Sequence, residues 1–322
     1  MDHKSTKPAT TTSTTTHLKD APAWMRGDPY IKTGYRHQLS SVHRCLLSLL
    51  YLHNEWVNVW SHLLPGTIHS LLLAKECYGF SKQRDEKPYL DQMVVWQYIV
   101  SCILCLLFSA GYHTLTAHSP RVAGRWLKID YLGIIINTAA GCIASTYFGL
   151  RHHPNLQLVY IASSVVLALV LFVVLLAPGA DGAAMAFWRS FLFAMFVASG
   201  FLPMLHACVL DGTDVLGLFP LAHVIGMEAC YFTGVVFYIT RFPEKQFPET
   251  FDIWGSSHQI FHTVVVVGQI VYITGLRQMA SSFGPVSAQM ALGSEFGDSN
   301  RTWSGIMAGV CVNEALVAFG VS

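Results

Sequence analysis

Apolar residues gather into seven runs of about the length needed to cross a bilayer: 56–75, 93–117, 127–149, 156–177, 187–209, 215–239 and 258–277. The polar stretches between them are short, except 76–92 and 240–257. This pattern predicts an all-α membrane protein, a seven-transmembrane helix bundle over 55–278. Ahead of the first run, Leu39, Val42, Leu46, Leu49 and Leu50 recur at helical spacing. That spacing predicts an amphipathic surface helix within a juxtamembrane segment, 31–54. Residues 1–30 hold the run ATTTSTTTH and little that is apolar, so a disordered Thr-rich tail is expected there. A C-terminal tail is expected over 279–322. Within it, 303–321 is nearly long enough for an eighth span, but Asn313 and Glu314 at its middle would be costly in hydrocarbon. Asn300 opens a glycosylation sequon, Asn300-Arg301-Thr302.

Composition agrees with the pattern. Of 322 residues 52% are apolar and only 12% charged, where soluble domains carry about 25%. Mean hydropathy is +0.43. The chain therefore reads as an integral, multi-pass membrane protein, with the sequence silent on plasma membrane or endomembrane. A net charge of +1 offers no basic surface for a phosphate backbone, so nucleic acid is not an expected partner. With the N-terminus placed in the cytosol, thirteen of the twenty Lys and Arg fall on the inner side, which favours that orientation. The eight cysteines lie mostly inside apolar runs, and Cys102-x-x-Cys105 reads as packing rather than as a redox or metal motif.

The polar residues inside the spans carry the chemistry. His113 and Ser109 fall near the inner end of the second span, one turn apart, and Asp130 near the inner start of the third. His258 and His262 share one face at the inner start of the seventh, four residues apart. Glu55, Asn58 and His62 sit at the inner start of the first. Four helices thus bring polar groups to one depth on one side. Three neutral imidazoles suit zinc, with His258 and His262 clasping the ion and His113 completing the set. Asp130 is then placed to orient or deprotonate a water, and Ser109 to hydrogen-bond the water or a substrate carbonyl. The pair reads HQIFH rather than HExxH, so the glutamate base of zinc peptidases is missing.

Other readings stay open. The zinc could be purely structural, tying two helices together. A metal transporter would need further ligands along a path across the membrane, which the inner clustering speaks against. Arg189, at the inner start of the fifth span, reads as an interfacial anchor or as a clamp for a lipid carboxylate. His152, His153, His206 and His223 read as interfacial or packing residues, His69 has no assignment, and Pro203 and Pro220 are expected to kink their helices.

Three ordered blocks, NEWVNVWSH, SAGYHTLTAHS with WLKIDYLGI, and GSSHQIFH, resemble the signature blocks of the progestin and adipoQ receptor family, related to haemolysin III-type proteins. The resemblance covers roughly residues 30 to 278, and the Thr-rich tail and length are similar to fungal adiponectin-receptor-like members implicated in zinc and sterol homeostasis. It implies seven spans with a cytosolic N-terminus, and a zinc ion on His113, His258 and His262. It implies Asp130 as the holder of the zinc-bound water and Ser109 as the motif serine. Glu55, Asn58 and His62 match a block whose role the resemblance leaves open. It also implies ceramidase-like hydrolysis of a lipid amide, with Arg189 near the released fatty acid. The expected partners are membrane lipids (ceramide, a fatty acid or a sterol-like ligand), with an extracellular ligand as a further partner. The rival reading is a receptor or sensor whose zinc is structural and which turns nothing over.

Overall fold

The computed structural model describes residues 13–82, 89–177, 179, 185–213, 216 and 221–282. The expected C-terminal tail from 283 on, with its 303–321 stretch and Asn300, and Pro220 lie outside the described residues. Nine helices are described: α1 (Val42–Leu47), α2 (Trp56–Lys82), α3 (Tyr89–Leu115), α4 (Pro120–Gly149), α5 (Pro154–Leu176), α6 (Ala186–Ser199), α7 (Leu202–Asp211), α8 (Leu221–Thr240) and α9 (Ser257–Ser282). Six helical segments, with α6 and α7 sharing one, are long and apolar enough to cross a membrane. The remaining predicted run, 56–75, is α2, whose 27 residues suffice in length but include Asn58, Ser61, His62, Thr67, His69 and Ser70. The predicted run 187–209 divides at Gly200 and Phe201, and Pro203 falls in the first turn of α7, where its missing N–H costs nothing.

The apolar stripes decide what packs on what. α3 lies against α4 and α2, α9 against α8, α2 and α3, and α5 against the outer side of α4. Gly133 of α4 lets α3 approach closely, because a Cβ there would stand 2.9 Å from the Cys105 Cα. Midway along the bundle the Gln269 amide donates to Asn137 Oδ1 at 3.2 Å, and the Asn137 amide to Ser101 Oγ at 3.0 Å. Buried amides in an apolar core are tolerated when paired in this way.

The N-terminal region corrects two expectations. The tail expected to be disordered over 1–30 is ordered at residues 13–30. From residue 13 the chain is folded, with a two-stranded antiparallel ladder, Thr15–Thr16 (β1) on Tyr35–Arg36 (β2). Ala21, Met25, Ile31, Tyr35 and Ala117 form a small core beneath it. A few well-placed apolar residues suffice because the end of α3 supplies the other wall. The amphipathic helix over 31–54 shrinks to the six residues of α1, followed by a 3-10 turn, Ser48–Leu50. The reason is Arg36 and Thr33, whose bonds to α3 and to Asp252 hold the preceding residues extended. Val42, Leu46, Leu47 and Leu50 remain exposed, as a membrane-facing stripe requires.

Candidate metal centre

α9 is started firmly. Glu244, buried in the α8–α9 loop, accepts the Ser257 N–H at 2.8 Å and also the Ser257 hydroxyl, a charged N-cap. Gly255, at φ +78°, makes the turn into the helix, and Gln259 Oε1 accepts its N–H at 2.6 Å. His258 follows directly and His262 one turn later on the same face, their rings tilted by 54° with centroids 4.5 Å apart. The last turns of α3 bring His113 opposite. Its Nε2 lies 3.3 Å from His258 Nε2, and its ring is 4.9 Å from that of His262.

One nitrogen from each of the three rings falls within 4.8 Å of the others, a spacing that fits one shared cation. The outward nitrogens are already employed. His113 Nδ1 donates to Glu55 Oε2 at 2.7 Å. The same oxygen accepts the Asn58 amide at 2.6 Å. His262 Nδ1 donates to the Asn58 carbonyl at 3.2 Å, with Ser61 Oγ 3.3 Å away. Each of these bonds places the proton on Nδ1 and leaves Nε2 with a free lone pair, the tautomer a metal ligand needs. Glu55 thus stands as a carboxylate behind one imidazole of the candidate site. Among the described residues this is the one trio of metal-ligating groups so arranged, and imidazole nitrogens are ligands that suit zinc.

The other sequence-derived residues fall around this centre. Ser109, buried on α3, lies beside the Asp130 carboxyl of α4, which is also within electrostatic reach of His113. His62 of α2 lies flat on His262, ring centroids 3.7 Å apart and planes 5° from parallel. Asn58 contributes both its amide and its carbonyl. Arg189 stands in the first turn of α6, but its side chain lies outside the described residues.

Sequence reasoning missed the group that holds His113 from behind. Arg36 is fully buried and its guanidinium donates to the carbonyls of His113 at 2.6 Å and Thr114 at 2.9 Å, and to Ser48 Oγ at 2.9 Å. It satisfies the open carbonyls at the end of α3 and sets the ligand's backbone. Beside it, burial and the Arg36 charge push His53 down to about 3, so that imidazole stays neutral and accepts the Glu55 N–H at 3.1 Å. Only the charge count touched Arg36 at first, and nothing in its local sequence marks a bond to a residue 77 positions away.

With this geometry in place, the comparisons with known proteins become informative. A family model described as Haemolysin-III related matches residues 50–273. The chain belongs to the haemolysin-III related family. All three histidines, Glu55 and Asp130 fall within the matched range. Among relatives of this family, an adiponectin receptor protein of Drosophila melanogaster is 31% identical over 265 residues, 82% of this chain and 59% of that protein. An ADIPOR-like receptor of Saccharomyces cerevisiae, IZH2, is 33% identical over 260 residues, 80% of this chain and 81% of that one. A progestin and adipoQ receptor-like protein 1 of Caenorhabditis elegans is 31% identical over 260 residues, 80% of this chain. The chain spans 59% of the length of the fly and worm relatives. As a haemolysin-III family member with these helices, it is a multi-pass membrane protein of receptor-like kinship.

Proposed function

We propose that this protein is a zinc-dependent lipid-amide hydrolase of ceramidase type, spanning the membrane seven times with α2 as the additional span and the histidine end at the cytosolic face. The carrying observation is the convergence of three imidazole nitrogens within 4.8 Å, beside a carboxyl–hydroxyl pair on α3 and α4. Zinc held by three histidines supplies a Lewis acid and a source of hydroxide at neutral pH. Glu55 keeps His113 in its ligating tautomer, and the Asn58 carbonyl does the same for His262. Asp130 orients the attacking water, accepts its proton and delivers it to the leaving nitrogen of the amide. Ser109 holds the Asp130 carboxyl in position. The apolar walls of the bundle receive acyl chains from the bilayer. Arg189, at the start of α6, would meet the carboxylate of the released fatty acid.

A second reading is supported by the names of the relatives, which are receptors: zinc is structural, and a sterol-like, lipid or extracellular ligand shifts helix packing. One experiment separates the two. Purified wild type, Asp130→Asn and His262→Ala are assayed for zinc content and ceramide hydrolysis. The hydrolase reading expects Asp130→Asn to keep its zinc and lose turnover about 10²–10⁴-fold, and His262→Ala to lose both. Undiminished turnover in Asp130→Asn overturns the assignment of the base. No turnover in zinc-loaded wild type leaves the receptor reading standing.

A further inference from the structure

His62 is buried beside the three candidate ligands and is not one of them. It is 4% exposed, and among the described residues neither ring nitrogen has a partner of good hydrogen-bond geometry. What it touches is the face of His262, with ring centroids 3.7 Å apart and planes 5° from parallel. Asn58, Ser61 and His62 lie at i, i+3 and i+4 on one face of α2, and all three address that ring. The Asn58 carbonyl takes the Nδ1 proton at 3.2 Å, the Ser61 hydroxyl stands 3.3 Å from the same nitrogen, and His62 covers the plane. The other two ligand rings meet their aromatic neighbours at a tilt. His113 stands at 60° to Tyr112 and His258 at 48° to Tyr238, with centroids 4.9 Å and 5.7 Å apart.

At 3.7 Å the two centroids are no further apart than carbon atoms in contact, about 3.5–4.0 Å, so the rings overlap almost fully. Two alike aromatic rings avoid such a sandwich in favour of offset or edge-to-face contact. The sandwich turns favourable when one ring is electron-poor, because the face of the other then meets positive charge. A metal ion on His262 Nε2 draws density from that ring and creates this condition. The stack also supplies what the Nδ1 bond cannot. The last torsion of a histidine side chain is broad, and one hydrogen bond leaves the ring free to rock about it. A lone pair aimed at a metal needs the plane fixed as well. We infer that His62 is a positioning residue for the metal centre: its ring face fixes the plane of His262 and grips hardest when His262 carries the cation. This rests on the reading of His113, His258 and His262 as ligands. His62 is not a fourth ligand, since the nitrogens gathered within 4.8 Å of one another come from those three residues.

The test uses the full chain in lipid nanodiscs, wild type beside His62→Phe, His62→Gln and His62→Leu. Phe keeps a ring face without nitrogens, Gln keeps polar atoms without a face, and Leu keeps neither. Zinc affinity is read by competition with a chelator, and the visible spectrum of each cobalt-substituted protein reads the ligand geometry. Wild type is expected to bind one ion per chain, and His62→Phe to stay within about threefold of it with the same spectrum. His62→Gln and His62→Leu are expected to bind about tenfold more weakly and to show an altered spectrum when fully loaded. Either of these two serves if the other does not fold. Wild-type affinity and spectrum in a variant without a ring face overturn the inference. So does a rescue by Gln that Phe does not give, because the nitrogens and not the face would then matter. A wild type that holds no ion overturns the metal reading and this inference together, whereas the two preceding results leave the metal reading standing.

Discussion

The two sides of the helix bundle are made from similar apolar material and behave differently. On one side α2, α3, α4 and α9 are laced together by polar groups. On the other, α5, α6 and α7 lean on α4 with mostly apolar contacts. Half of the apolar window of α3 and of α9 is buried inside the protein, against 17% for α5 and for the α6–α7 segment. Apart from Lys128 to the Leu176 carbonyl, the described polar ties of α5 gather at its N-terminal end. They include Gln157 to the Tyr147 carbonyl, Tyr160 to His206, and His153 to Asp211. The laced side carries His113 and both α9 histidines, with Glu55, Asn58 and Arg36 locking them. In lipid, apolar surface alone gives helices little reason to choose partners, so buried hydrogen bonds and close backbone approach do the choosing. The histidine cluster, which calls for close placement, lies on that side.

Removing Arg36 should break the comparison most. Arg36→Met leaves the His113 and Thr114 carbonyls and Ser48 without their donor in a buried setting, and is expected to cost about 2–4 kcal/mol. Thermal melting in lipid reads this, and zinc content should fall with it. A variant that melts like wild type would show that the N-terminal segment is not part of the laced side. Glu55→Gln is subtler, because the shape is kept and only the charge behind His113 goes. Zinc affinity is expected to drop about 10–100-fold, measured by competition with a chelator, with little change in melting of the zinc-loaded protein. Equal affinity would mean that His113 needs no carboxylate behind it. The smallest effect belongs to the flank. Val166→Ala on α5, 58% exposed toward the lipid, is expected to shift stability by less than about 0.5 kcal/mol. A larger loss would mean that α5 is locked as firmly as α3.

What could be read from the chain divides along the same line. The helices of the bundle were legible because hydrophobic runs are local. The predicted start at 258 and the observed Ser257 differ by one residue, and 156–177 became Pro154–Leu176. The histidine trio was legible through two local facts: the i, i+4 spacing of His258 and His262, and the matching depth of His113. What was not legible is non-local. Glu55 reaches His113 across 58 positions and Asp252 holds Thr33 across 219, and no periodicity records either. The β1–β2 pairing joins two-residue strands that are too short to show alternation. The break between α6 and α7 was half visible, since Pro203 marked a disturbance but not that the helix would end four residues before it, at Ser199.

The most direct measurement of the central claim is X-ray absorption at the zinc edge on purified full-length protein, with metal stoichiometry determined on the same sample. Convergence of α3 and α9 on one ion predicts one zinc per chain and a first shell of nitrogen and oxygen at about 2.0–2.1 Å, with the outer scattering of three imidazoles. Loss of one imidazole's contribution is expected on replacing His113. A sulfur shell near 2.3 Å, or an unchanged spectrum without His113, would contradict it.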